Sequence, residues 1–138
     1  MNRETNACQR IVELPLILLL GGVSYYTLEL IWRGYSHWSM ALCGAFCLWK
    51  LWRLECDRPT LPLPLRALIG AGIITLTELF VGCLLNVGLG MRIWDYTKMP
   101  LHFLGQICLP YSVLWFLLCF PVSVGIRLLR RAVFSAHD

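Results

Sequence analysis

Long apolar runs, broken by short polar clusters, set the pattern of this chain. At a rise of about 1.5 Å per residue such runs suit a hydrocarbon layer of roughly 30 Å. The breaks predict helices over residues 12–32, 38–54, 65–90 and 101–126. Only residues 33–37 separate the first two, with the turn at 34–36, which predicts a tight antiparallel hairpin. DRPTLPLP, residues 57–64, is too rich in proline to continue a helix and predicts a stiff connection into the third run. The expected fold is an all-α membrane protein: a four-transmembrane-helix bundle of two antiparallel hairpins, forming a single integral membrane domain over residues 1–138.

The third run is the one that polar residues interrupt most tellingly. Glu78 stands at its midpoint and Asn86 two turns later, and helical spacing places Thr75, Glu78, Gly82 and Asn86 on one stripe. An ionisable group inside a span is expensive and points to function. The loop that follows, residues 91–100, gathers Arg92, Trp94, Asp95, Tyr96 and Lys98 at the membrane surface. In the fourth run His102 and Gln106 are four apart, so as helical residues they share a face that meets Asn86 and Glu78. Pro110 and Pro121 are expected to kink that helix.

The first hairpin supplies a second polar group. Glu29 and Arg33 have ion-pair spacing, and His37 opens the second helix. Tyr25, Tyr26, Trp32, Tyr35 and Trp38 read as an interfacial aromatic belt, and Trp49 and Trp52 with Lys50 and Arg53 as its counterpart at the other boundary. Glycines at 70, 72, 82, 88 and 90 are expected to allow close helix packing.

Composition sharpens the class. Of 138 residues, 58% are hydrophobic and 14% charged, against about a quarter charged in globular proteins. Cationic residues are unevenly spread: Arg3, Arg10, Lys50, Arg53, Arg58, Arg66, Arg127, Arg130 and Arg131 fall on one side, and Arg33, Arg92 and Lys98 on the other. The positive-inside rule therefore predicts both termini in the cytoplasm, with the basic tail RLLRRAVF against anionic lipid. The net charge of +4 reflects this bias and points to no nucleic-acid partner. The first run lacks a small-x-small cleavage pattern and reads as a retained helix, with cleavage near Gly21 as the alternative.

Cys8, Cys43, Cys47, Cys56, Cys83, Cys108 and Cys119 are odd in number and contain no CxxC pair, so they describe no disulfide framework. The pairs Cys43/Cys47 and Cys83/Cys108 would suit a soft metal, but small packing residues are the simpler reading. His37 and His102 with carboxylates form no HxxxH or HExxH pattern, and no metal or cofactor is assigned. Ser36, Ser39 and Ser112 lack a motif that would place a base beside them. No GxxxxGK[ST] loop is present, so ATP hydrolysis would have to come from another subunit.

Glu29, Arg33 and His37 with Glu78, Asn86, Asp95, His102 and Gln106 thus predict a polar site open to the outside. The structural alternative is that the same groups only specify packing. ELIWRGYSHWSM (29–40), TELFVGCLLN (77–86) and WDYTKMPLHFLGQICL (94–109) resemble the bacterial membrane proteins of the ABC-transporter type IV, permease-like family, over residues 25–115. The chain is similar to a short subgroup, with SHWSM where longer members carry a GPxxPIYG-like segment, and with His102 where members more often have asparagine. The resemblance implies a multi-pass protein of the bacterial cytoplasmic membrane but no substrate, reaction or cofactor. The expected function is a small transporter or transporter subunit: Glu78 central, Asn86 and Gln106 as lining, Glu29 with Arg33 as a brace, and loop Trp94–Asp95–Tyr96 as a lid. Four helices enclose little space, so a homodimer is expected, beside a separate ATPase or other membrane subunit. A membrane scaffold without transport is the alternative, followed by an intramembrane enzyme using Glu78 or His37 as base.

Overall fold

The computed structural model describes the backbone of residues 3–134 and the side chains of residues 13–132. The side chains of Arg3, Cys8 and Arg10, used above for orientation and cysteine count, lie outside the described residues. The described residues are mainly helical: α1 (Arg3–Arg33), α2 (Trp38–Asp57), α3 (Leu63–Gly82) and α4 (Leu109–Leu129), with a small hairpin of β1 (His102–Phe103) and β2 (Ile107–Cys108) between the last two. Segments Glu13–Arg33, Leu63–Gly88 and Leu109–Ala132 are long and apolar enough to cross a membrane. α2 is 20 residues long, but Lys50, Arg53, Glu55 and Asp57 crowd its last turns, and it does not share that apolar character.

Two compact units divide the chain, Met1–Arg53 with Gly125–Asp138, and Leu54–Val124. In the first unit, Gly34 ends α1 with φ +78° and its N–H returned to the Leu30 carbonyl at 2.9 Å, a glycine cap that stops the helix sharply. α1 and α2 then pack at backbone distance. A methyl on Gly21 would sit 2.6 Å from the Gly44 carbonyl oxygen and 2.7 Å from Leu48 Cβ. The small residues that bring these helices together are Gly21 against Gly44 and Gly22 against Ala41, none of which is assigned to helix packing from the sequence.

In the second unit, Pro64 stands in the first turn of α3, where its missing N–H costs nothing. The helix buries one stripe: Arg66, Ala67, Gly70, Ala71, Ile74, Glu78 and Gly82. Leu65, Leu68, Leu76 and Phe80 project from the other side. Arg66 and Glu55, each 2% exposed, form an ion pair at 2.8 Å that ties the end of α2 to the start of α3. Arg66, counted above with the cations of one side, is thus a buried residue of the core.

The fourth helix begins at Leu109, not near residue 101. Three residues explain the difference: Leu101, Leu104 and Gly105 have φ of 52°, 54° and 68°, values a right-handed helix does not permit. Pro110 consequently lies at the second residue of α4 and kinks nothing, whereas Pro121 is inside the helix. His102 and Gln106 are hairpin residues, and the helical face expected to hold both does not form.

Candidate functional site

In the second unit Asn86 and Gln106 come together where α3 ends. Past Gly82 the helix widens into a π-helical segment, Cys83–Gly88, in which the Leu89 N–H reaches the Leu84 carbonyl at 3.1 Å. Such segments often mark functional positions, because the extra residue per turn redirects side chains. Here the redirected side chain is Asn86. Its Oδ1 accepts the Ile93 N–H at 2.6 Å and its Nδ2 donates to Gln106 Oε1 at 2.8 Å, so one amide fastens the returning loop and the hairpin to the helix.

Gln106 is the centre of this network. It is buried, its Nε2 donates to the Leu104 carbonyl at 3.0 Å, and its own carbonyl accepts Trp94 Nε1 at 2.9 Å. Trp94 and Ile93 are buried as well, so the first part of the aromatic loop is a packed cover. Gly82 is required beneath it, since a methyl there would lie 2.5 Å from Gln106 Oε1 and 3.0 Å from Trp94 Cζ2.

The hairpin holds the remainder of the loop. β1 and β2 pair antiparallel, His102 with Cys108 and Phe103 with Ile107. The Gln106 N–H closes the turn onto the Phe103 carbonyl at 3.1 Å, and its two central residues, Leu104 and Gly105, both take positive φ. His102 Nδ1 accepts the Gly105 N–H at 3.2 Å, which gives the histidine a turn-closing part on an exposed edge. The Gly105 carbonyl accepts the Tyr96 N–H at 2.8 Å, and Tyr96 stacks on Tyr111 of α4 with centroids 4.9 Å apart. Asp95 is exposed; it accepts the Thr97 N–H at 2.9 Å, and this backbone bond, with a further one from the Thr97 side chain, holds its carboxyl below the ordinary carboxylate value.

Deeper along α3, Glu78 Oε2 accepts Trp115 Nε1 of α4 at 3.1 Å, and Thr75 Oγ1 meets Ser112 Oγ at 3.0 Å. These two rungs join the helices through the predicted polar stripe. The structure therefore brings Asn86, Gln106 and Trp94 into one network and sets Glu78 against Trp115. Trp115 was missed in the sequence because it reads as one more apolar residue. Its one signal was chemical: an indole N–H inside a span needs an acceptor.

Glu29, Arg33 and His37 belong to the first unit. Glu29 and Arg33 form the expected i,i+4 ion pair, and the guanidinium lies 5.0 Å from the Tyr35 ring centroid. His37 Nδ1 lies 2.7 Å from Ser39 Oγ and 3.3 Å from the Ser39 N–H, so its ring caps the first turn of α2. Among the described residues Cys43, Cys47, Cys56, Cys83, Cys108 and Cys119 form no disulfide.

Helices of this length and hydropathy, with their polar groups turned onto one another, define an α-helical membrane protein. The chain belongs to the family described as "Putative ABC-transporter type IV", whose model matches residues 26–136. No curated protein and no solved structure matches it.

Proposed function

We propose that this chain is a membrane subunit of an ABC-type transport system, with a polar site built on Glu78, Asn86 and Gln106 and facing the outside of the cell. The observation that carries this reading is Glu78: an ionisable carboxyl group buried within a membrane-spanning helix, 9% exposed, is costly there and is a mark of a pathway or a coupled movement. Asn86 and Gln106 supply amide groups at the end of the same helix, and Trp94, tied to the Gln106 carbonyl, makes the covering loop a fastened roof more than a free lid. Glu29 with Arg33 is a brace at the end of α1, and His37 sets the start of α2.

In this reading α2 is the fourth crossing, the lysine and arginine bias puts both termini in the cytoplasm of a bacterial cell, and two copies associate to enclose a pathway. A separate ATPase subunit supplies the energy. The test is to purify the intact protein in mild detergent from its own membranes and reconstitute it in vesicles. A stoichiometric ATPase whose ATP hydrolysis falls to background with Glu78→Gln, in a variant that still elutes as the wild type does, is the expected result. A preparation without an ATPase, or hydrolysis indifferent to Glu78→Gln, defeats the proposal.

A membrane scaffold is the second reading, and one observation favours it: Asn86, Gln106, Ile93 and Trp94 spend their hydrogen bonds on each other. In that case a partner still co-purifies, but Glu78→Gln leaves its activity unchanged.

A further inference from the structure

The hairpin between α3 and α4 has an inner and an outer strand. On β2 and the turn before it, Gly105, Gln106 and Cys108 are buried. On β1 and beside it, Leu101 is 74% exposed, Phe103 56% and Leu104 61%. Two of these three, Leu101 and Leu104, hold positive φ, a backbone region in which leucine is strained and glycine is at ease. Three large apolar side chains exposed together are poorly suited to water.

Their height in the fold is fixed. β2 runs into α4 without a break, and the Leu109 N–H, the first of α4, lies 3.4 Å from the Leu101 carbonyl. Leu109 is also where the membrane-crossing segment begins. The outer strand is thus level with the end of a span. Leu84 and Val87 at the end of the preceding span, and Leu109 and Val113 at the start of the next, are exposed too, so the hairpin is flanked along the chain by exposed apolar residues of both spans. Arg92 and Lys98, both exposed, belong to the same loop and carry the charge that lipid phosphates attract.

We infer that this hairpin is an interfacial anchor: Leu101, Phe103 and Leu104 seat in the boundary between headgroups and acyl chains of the bilayer that α3 and α4 cross, with Arg92 and Lys98 at the phosphates. The partner is lipid, and the inference rests on the membrane-spanning reading of those helices. Seated this way, the anchor holds the Trp94 roof at a constant depth, because Gln106 of the same hairpin carries the Trp94 bond. Aromatic and aliphatic side chains at this depth are a recurrent means of fixing a segment at a membrane surface.

The experiment replaces single residues of the full chain with p-benzoylphenylalanine and irradiates the protein in vesicles of phosphatidylcholine and phosphatidylglycerol, reading lipid adducts by intact mass. Phe103 and Leu101 are the test positions. Phe80, exposed on α3, is the reference for lipid contact, and Thr60, exposed in the proline-rich connection, is the reference for water. Adducts at 103 and 101 comparable with position 80 and well above position 60 are expected. Adducts at 80 without any at 103 and 101 overturn the anchor and leave the spans standing, as does crosslinking of 103 to another protein chain. Absence of adducts at 80 overturns the membrane-spanning reading and the anchor with it.

Discussion

Trp115 Nε1 donates to Glu78 Oε2 at 3.1 Å, joining α3 to α4 across 37 residues of sequence. The Thr75–Ser112 bond lies one turn away on α3 and three residues away on α4, so the two helices share a ladder of polar rungs inside an otherwise apolar surface. Hydrocarbon offers no substitute for either partner, so each rung both positions the helices and penalises their separation.

Trp115→Phe keeps the ring and removes the N–H. The expected loss is about 1–3 kcal/mol of unfolding stability, the range for a hydrogen bond to a charged or buried acceptor. Glu78→Gln keeps an acceptor oxygen for the indole and should cost less. Thermal unfolding in detergent reads both, and an unchanged midpoint for Trp115→Phe would show that the rung contributes nothing.

Two glycines of α3 give opposite expectations for the same change. Gly82→Ala puts a methyl 2.5 Å from Gln106 Oε1 and 2.9 Å from Gln106 Cβ, so the Asn86–Gln106–Trp94 network must shift, at a cost of about 1–3 kcal/mol. At Gly72 nothing lies within 4 Å of the added methyl, and Gly72→Ala should be neutral or stabilising by up to about 1 kcal/mol through helix propensity. Unfolding midpoints that moved together would contradict the contact at Gly82.

Which parts of this were legible beforehand follows from the range of the forces involved. The membrane class was readable because long apolar runs need no tertiary information. The Thr75–Glu78–Gly82 stripe was readable for the same reason, since helical spacing alone assigns it. Residues 101–108 were misread as helix because LHFLGQIC has the apolar density of a span, and positive φ at two leucines leaves no compositional mark. Asn86 does meet Gln106, but through a turn and a π-helical segment, not through two facing helices. Trp115 and Glu55 were passed over because a partner 37 or 11 residues away becomes apparent only once the chain has folded.

Asp95 makes a pH-dependent contribution whose sign follows from its environment. The Thr97 backbone N–H is the largest cause lowering its pKa, followed by the Thr97 side chain, with the Arg92 and His102 charges adding to them and partial desolvation opposing. A carboxyl depressed in the folded state stabilises the loop above its ordinary, unfolded pKa, and that contribution is lost as pH falls through the folded value. Amide exchange of the loop, corrected for intrinsic pH dependence, should show Thr97 protection declining only in acid. Asp95→Asn should lack that acid step, and a step of the same size in both proteins would assign it to another group.

The Glu55–Arg66 pair allows the sharpest energetic test, because both partners are 2% exposed and water cannot replace either one. Removing one member of a buried pair takes the closest countercharge from the other, which typically costs about 3–5 kcal/mol, whereas replacing both with apolar residues of similar size is often neutral or favourable. Arg66→Met and Glu55→Leu should therefore each be strongly destabilising, and the double variant should recover most of the loss. The recovery separates a coupled pair from two independent contributions, for which the two losses would simply add. It also bears on the fold: the pair sits on either side of a connection containing Pro59, Pro62 and Pro64 that has few backbone hydrogen bonds of its own, Arg58 to Leu54 and Leu61 to Arg58 among them. A double variant that unfolds as the wild type does, yet exchanges amides faster in residues 58–64, would show that the ion pair's contribution lies in fixing the approach of α2 to α3 and not in net stability.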